Sequence, residues 1–109
     1  MNYLKMKYKM IENQNFGQAV EALKVGKRVS RSGWNGKGMF VFMQVPSEIN
    51  EDIIPKMQSL PLLVKEEFIR RGGNITYQNQ MAIVYPDNSI HGWAPSGSDS
   101  LASDWCILD

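Results

Sequence analysis

The residues able to do bond-making chemistry are few in this chain and poorly placed for it. His91 is the single histidine, and it falls in an expected strand, Ile90–Trp93, with no serine and aspartate spaced around it as a nucleophile and its base would be. Cys106 stands next to Trp105 near the C-terminal end, where a buried inert thiol is the ordinary outcome. Asp87, Asp99 and Asp104 are the acids a metal site would draw on. Two of them occupy turn or cap positions that favour Asp for local reasons. No HExxH, GxxxxGK[ST], GxGxxG or GxSxG occurs. The expectation is a protein with no catalytic residue, no metal ligand and no cofactor.

Aromatic placement carries more information. Trp34 lies in Gly33-Trp-Asn-Gly36 and Trp93 in Gly92-Trp-Ala-Pro95, each at an expected strand end beside residues with little side chain to shield a ring. One reading is that both plug the ends of a small sheet or bury at a subunit contact. The other is a stacking platform for a flat base, at about 1–3 kcal/mol per stacked base. Around it, Asn35 can read a base edge, and Arg31 and Lys37 can meet phosphates. Ser96, Ser98 and the amides of a capped turn over 96–102 can cradle an anion. Together these are parts for holding a nucleotide, without a group that would cleave it.

Composition sets the frame. The chain has 109 residues, 43% of them hydrophobic and 21% charged, enough for one modest core. No apolar run approaches the roughly 20 residues of a membrane span. The opening Met1–Met10 scatters lysines among Tyr, Leu and Met and does not read as a secretory signal. A lone cysteine excludes an intrachain disulfide framework, so a reducing cytoplasm is the expected location. Net charge is +1, yet residues 1–37 hold eight Lys/Arg against two Glu, while 72–109 hold four Asp and no Lys/Arg. Such halves can attract each other once folded. The basic excess is too small for a groove that holds polymer DNA or RNA.

The expected elements form an α+β domain in which an N-terminal amphipathic helix packs on a small antiparallel sheet of about five strands. Residues 1–14 read as a flexible basic lead-in or an added edge strand. Asn15 caps a helix over 16–25 with Gly26 as its stop, and Phe16, Ala19, Val20 and Leu23 recur at helical spacing. Strands follow at 27–31 and 39–45, the latter ended by Pro46. Residues 46–73 form a helical or irregular insertion, with a short helix near 49–54 and a second one from Pro61, in its first turn, to Gly72-Gly73. Ile75–Tyr77 and Met81–Tyr85, separated by Gln78-Asn-Gln80, have the pattern of a hairpin. A turn at 86–89, a strand at 90–93, a helical turn capped at Ser96 and a last strand at 104–108 complete the domain, 15–109.

Three blocks carry a resemblance. Asn15-Phe-Gly-Gln-Ala-Val-Glu-Ala-Leu-Lys24, Gly26-Lys-Arg-Val-Ser-Arg-Ser-Gly-Trp-Asn-Gly-Lys-Gly-Met39 and Gly92-Trp-Ala-Pro-Ser-Gly-Ser-Asp-Ser-Leu-Ala-Ser-Asp-Trp105 closely resemble the small phage proteins of the second Thoeris anti-defence family. The resemblance implies a sponge: a homotetramer that sequesters cyclic ADP-ribose-type messengers made by TIR proteins of Thoeris defence, without degrading them. Some members also hold cyclic di- or trinucleotides at separate sites. It further implies a pocket between subunits that involves Phe16, Trp34, Asn35, Trp93, Ser96, Ser98 and Asp99. In it Trp34 and Trp93 would sandwich or flank the adenine, Asn35 and Asp99 would bond base and ribose, and the serines would bond phosphate or ribose. Arg31 and Lys37 join this set on electrostatic grounds. The chain departs from its relatives at Gly97, where Gln is common, and at His91. The competing readings are an enzyme that degrades or modifies a nucleotide signal, and a small toxin or protein-interaction module.

Overall fold

The computed structural model describes residues 10–34 and 38–108. Asn35 and Lys37, and residues 1–9 of the lead-in, therefore lie outside the described residues. In chain order the elements are β1 (Met10–Gln14), α1 (Phe16–Lys24), β2 (Arg28–Arg31), β3 (Phe40–Gln44), β4 (Ser47–Ile49), a 3-10 helix (Glu51–Lys56), α2 (Leu62–Arg71), β5 (Ile75–Tyr77), β6 (Gln80–Val84), β7 (Ile90–Gly92), α3 (Gly97–Leu101) and β8 (Trp105–Leu108). They fall into two compact units, Val45–Asn79 and the rest.

The larger unit is an antiparallel sheet with α1 packed on it. Helix α1 starts where its cap chemistry dictates. The Asn15 side chain accepts from the Gln18 amide at 2.8 Å, and the Gln18 side chain accepts from the Asn15 amide at 2.8 Å. Both orphan donors are thereby satisfied. The helix stops at Gly26, whose φ of +88° is open to glycine at little cost. Ala19, Ala22 and Leu23 are buried, and Phe16 and Val20 are half-buried.

The sheet has six strands in the order β1-β8-β2-β3-β6-β7, one more than expected. The C-terminal strand β8 sits between β1 and β2, pairing Ile107 with both Ile11 and Val29. The row continues through Val41 and Ile83. Val29, Val41, Ile83 and Ile107 are buried in the same core as Ala19, Ala22 and Leu23 of α1. Each such aliphatic side chain contributes roughly 1.5–3 kcal/mol on burial. Residues 10–14, inside the lead-in, form the edge strand β1.

The expected hairpin between 75–77 and 81–85 does not form. β6 pairs instead with β3 over five positions, from Phe40–Val84 to Gln44–Gln80, and the Gln80 side chain donates to that of Gln44 at 2.9 Å. β5 pairs with β4 over three positions, Ser47–Tyr77 to Ile49–Ile75. The cross-strand pairs of the longer ladder, Val41–Ile83 and Phe42–Ala82 among them, outweigh what a three-residue link offers locally.

Within the smaller unit, Asn74 ties the ends together. Its side chain accepts from the Glu51 amide at 2.9 Å and donates to Glu48 at 3.0 Å. Asn50 caps the 3-10 helix. Pro61 is the N-cap residue of α2 rather than a member of its first turn. Ile54 and Ile75 are buried, whereas α2 buries no residue fully. Among the described residues no helix is long and apolar enough to cross a membrane.

Candidate ligand-binding site

Three aromatic rings cluster around Trp105, the first residue of β8, which is wholly buried. Phe16, at the start of α1, has its ring centroid 5.4 Å from that of Trp105. Trp34, in the turn after β2, meets Trp105 edge to face at 5.4 Å and 80°. Trp93, just beyond β7, meets it at 6.0 Å and 83°. Trp34 and Trp93 are themselves 6.4 Å apart at 68°. Edge-to-face packing sets the positive rim of one ring against the electron-rich face of the next. Phe16, Trp34 and Trp93 remain half-buried and pack against the core.

A polar network adjoins the rings. Arg31, the last residue of β2, donates from Nε to Asp104 Oδ1 at 2.8 Å and from Nη1 to Asp99 Oδ1 at 2.9 Å. Asp104 also accepts the Gly33 amide at Oδ2, 2.9 Å, and its carbonyl accepts the Ser32 amide at 3.1 Å. An added Cβ on Gly33 would stand 2.9 Å from Asp104 Oδ2, so the contact depends on glycine. Asp99 is the one buried charged residue among those described. Its Oδ2 accepts the Ser96 amide at 2.9 Å, while Ser96 Oγ accepts the Asp99 amide at 3.0 Å, a capping box that starts α3. The buried Trp105 indole N–H donates to the Asp99 carbonyl at 2.9 Å.

These contacts set the charge states. The Arg31 guanidinium, assisted by the Gly33 amide, holds the Asp104 carboxyl below its usual range against the cost of desolvation. For Asp99, burial pushes the carboxyl up, but the Ser96 amide, Arg31, the Ser96 hydroxyl and Trp34 together outweigh it, and the net shift is downward. Arg31 is raised in turn by hydrogen bonds from its side chain to Asp104 and Asp99. One cation therefore sits between two carboxylates, which leaves no surplus positive charge within these three residues.

The sequence of residues 14–108 matches the Thoeris anti-defense 2-like domain. The chain belongs to that family. It is 39% identical over 106 residues to Thoeris anti-defense 2 of Bacillus phage SP01, covering 94% of this chain and 99% of the relative. The alignment thus spans both the sheet and the segment 45–79. Membership assigns the chain an anti-defence role in evading Thoeris immunity.

Of the residues expected from this family's pattern, the structure brings Phe16, Trp34, Trp93, Ser96 and Asp99 together with Arg31, while Ser98 is exposed on α3. Asn35 and Lys37 lie outside the described residues. Arg31 is spent on carboxylates instead of awaiting a phosphate. The Ser96 and Asp99 amides are spent on the capping box, which removes two donors from the expected anion cradle. Trp34 and Trp93 meet edge to face, so within one chain they do not present the two parallel faces of a sandwich. Sequence reasoning passed over Trp105 and Asp104 as site-building residues, although both stand in the third family block.

The Ser32 hydroxyl donates to Asp104 Oδ2 at 3.4 Å, whereas Asp87, Ser89 and His91 contact one another instead. Cys106 is buried, and burial pushes its thiol up. The Ser89 hydroxyl donates to Asp87 at 2.6 Å and lies 2.9 Å from His91 Nε2, which stacks on Tyr85 at 4.4 Å. A hydroxyl whose proton is directed at a carboxylate in a turn is not thereby activated by the imidazole. Among the described residues no group of three His, Cys, Asp or Glu is placed to hold a metal ion.

Proposed function

We propose that the chain is a sponge that captures a cyclic ADP-ribose-type messenger of Thoeris defence and holds it without cleaving it. The observation that carries this reading is the pair of half-buried indoles, Trp34 and Trp93, seated on the buried Trp105. An indole fixed by its inner neighbours offers its outer surface to a flat base with little entropy left to lose. Family membership supplies the biological setting.

The edge-to-face angle makes the proposal more specific. A purine stacks on one indole and is flanked by the other, and a second subunit supplies the opposite wall. A homotetramer is the assembly proposed, in the host cytoplasm, with neither a membrane nor polymer nucleic acid as partner. Near-nanomolar capture corresponds to about −12 kcal/mol. Two stacking contacts supply about a sixth to a half of it at the strengths given above, and enclosure between subunits supplies the remainder.

Titration calorimetry against a panel of cyclic ADP-ribose isomers tests the reading. Tight binding of at least one isomer is expected. Absence of binding across the panel contradicts it.

A further inference from the structure

We propose that Arg31 is a positioning residue for ligand capture, acting through Asp104 and the Ser32–Trp34 turn to set the Trp34 indole rather than by touching the ligand. The inference rests on the nucleotide-binding reading of this aromatic cluster and adds to it the device that sets the ring.

The turn carrying Trp34 has few anchors of its own. Its amides at Ser32 and Gly33 both donate to Asp104, and the Trp34 amide closes the turn on the Arg31 carbonyl at 3.2 Å. Asp104 is held in place by Arg31 Nε, and the same guanidinium reaches Asp99, 68 residues along the chain. The backbone carbonyl of Asp99 in turn accepts the indole N–H of Trp105, the ring on which both Trp34 and Trp93 pack. A planar fork with fixed donors suits this junction, because one guanidinium satisfies two carboxylates on different elements. With both carboxylates ionised, Arg31, Asp99 and Asp104 together carry a net negative charge and repel an approaching phosphate more than they attract one. A direct electrostatic role for Arg31 is thus disfavoured by its own partners.

A double-mutant cycle separates the two roles. Arg31→Gln is expected to weaken binding of the calorimetrically selected cyclic ADP-ribose isomer on the order of tenfold, and to cost little further in a Trp34→Ala background. An equal loss in both backgrounds would mean direct contact and overturn the proposal. Arg31→Lys, which keeps the charge but not the fork, is expected to behave like Arg31→Gln; full affinity in that variant also overturns it.

Because Arg31 variants leave two carboxylates uncompensated, Gly33→Ala serves as the second probe, displacing the turn while every charge stays. It should alter the near-ultraviolet circular dichroism of the coupled indoles and leave the far-ultraviolet spectrum unchanged. Wild-type indole bands in a folded Gly33→Ala protein contradict the proposal. The spectrum is read without ligand. If no isomer binds the wild-type chain, the sponge reading fails while the positioning claim is still decided.

Discussion

Arg31 Nη1 lies 2.9 Å from Asp99 Oδ1, joining the end of β2 to the capped turn of α3 across 68 residues of chain. The second carboxylate on the same guanidinium, Asp104, fastens the turn that bears Trp34. The rings and the ion pairs are therefore one structure, and disturbing either should be felt in the other.

Acid should loosen this junction. Asp99 and Asp104 have folded-state values below the ordinary carboxylate value of 3.8. Between folded and unfolded values the unfolded chain binds more protons, so stability rises with pH there. The contribution is fully present above about pH 4 and is lost as pH falls through the depressed values. Urea midpoints measured from pH 6 down to pH 2 should fall, and Asp104→Asn should flatten that slope.

Removing the Asp104 carboxylate should cost about 1–3 kcal/mol at neutral pH, since the Gly33 amide and Arg31 Nε lose a charged acceptor. Chemical denaturation of Asp104→Ala against the wild type measures it.

Trp105→Ala should be far more severe. The ring is wholly buried and supports Phe16, Trp34 and Trp93, and deleting a buried aromatic costs about 3–5 kcal/mol. Trp105→Phe keeps most of the volume but loses the bond to the Asp99 carbonyl, and should cost about 1–3 kcal/mol. Thermal melts of the two variants should rank in that order.

Asn15→Ala removes one half of the α1 capping box and should lower stability by about 1 kcal/mol without changing ligand affinity. Equal affinity with a lower melting temperature is the expected pair of results.

How legible all this was in the sequence varied with range. The helix over 16–24 could be read because its cap at Asn15 and its stop at Gly26 are local chemistry. The partner of Met81–Val84 could not, because the polar link Gln78–Gln80 satisfies the local rule for a hairpin while the pairing is settled by Phe40–Gln44, 36 to 44 residues away. The same holds for the site. Trp34 and Trp93 stood out by their glycine neighbours, but the role of Arg31 depended on carboxylates 68 and 73 residues further on. The basic first third and acidic last third hinted at such pairing without saying which residues would meet. Trp105 gave no signal of its own, since an aromatic in an apolar strand reads the same whether it fills a core or supports a site.

Truncating either outer indole tests the stacking claim. Trp34→Ala and Trp93→Ala should each weaken capture by about 1–3 kcal/mol, roughly five- to 150-fold, while the sedimentation profile stays that of the wild type. Unaltered affinity in both would remove stacking from the account.

The sponge claim itself is tested most directly by the fate of the captured molecule. The protein is loaded with the tightest-binding cyclic ADP-ribose isomer, freed of excess ligand and heat-denatured, and the released material is identified by mass spectrometry and chromatography. The account predicts the same isomer, intact and in stoichiometric yield. A ring-opened or otherwise altered product, or no retained ligand, would contradict it.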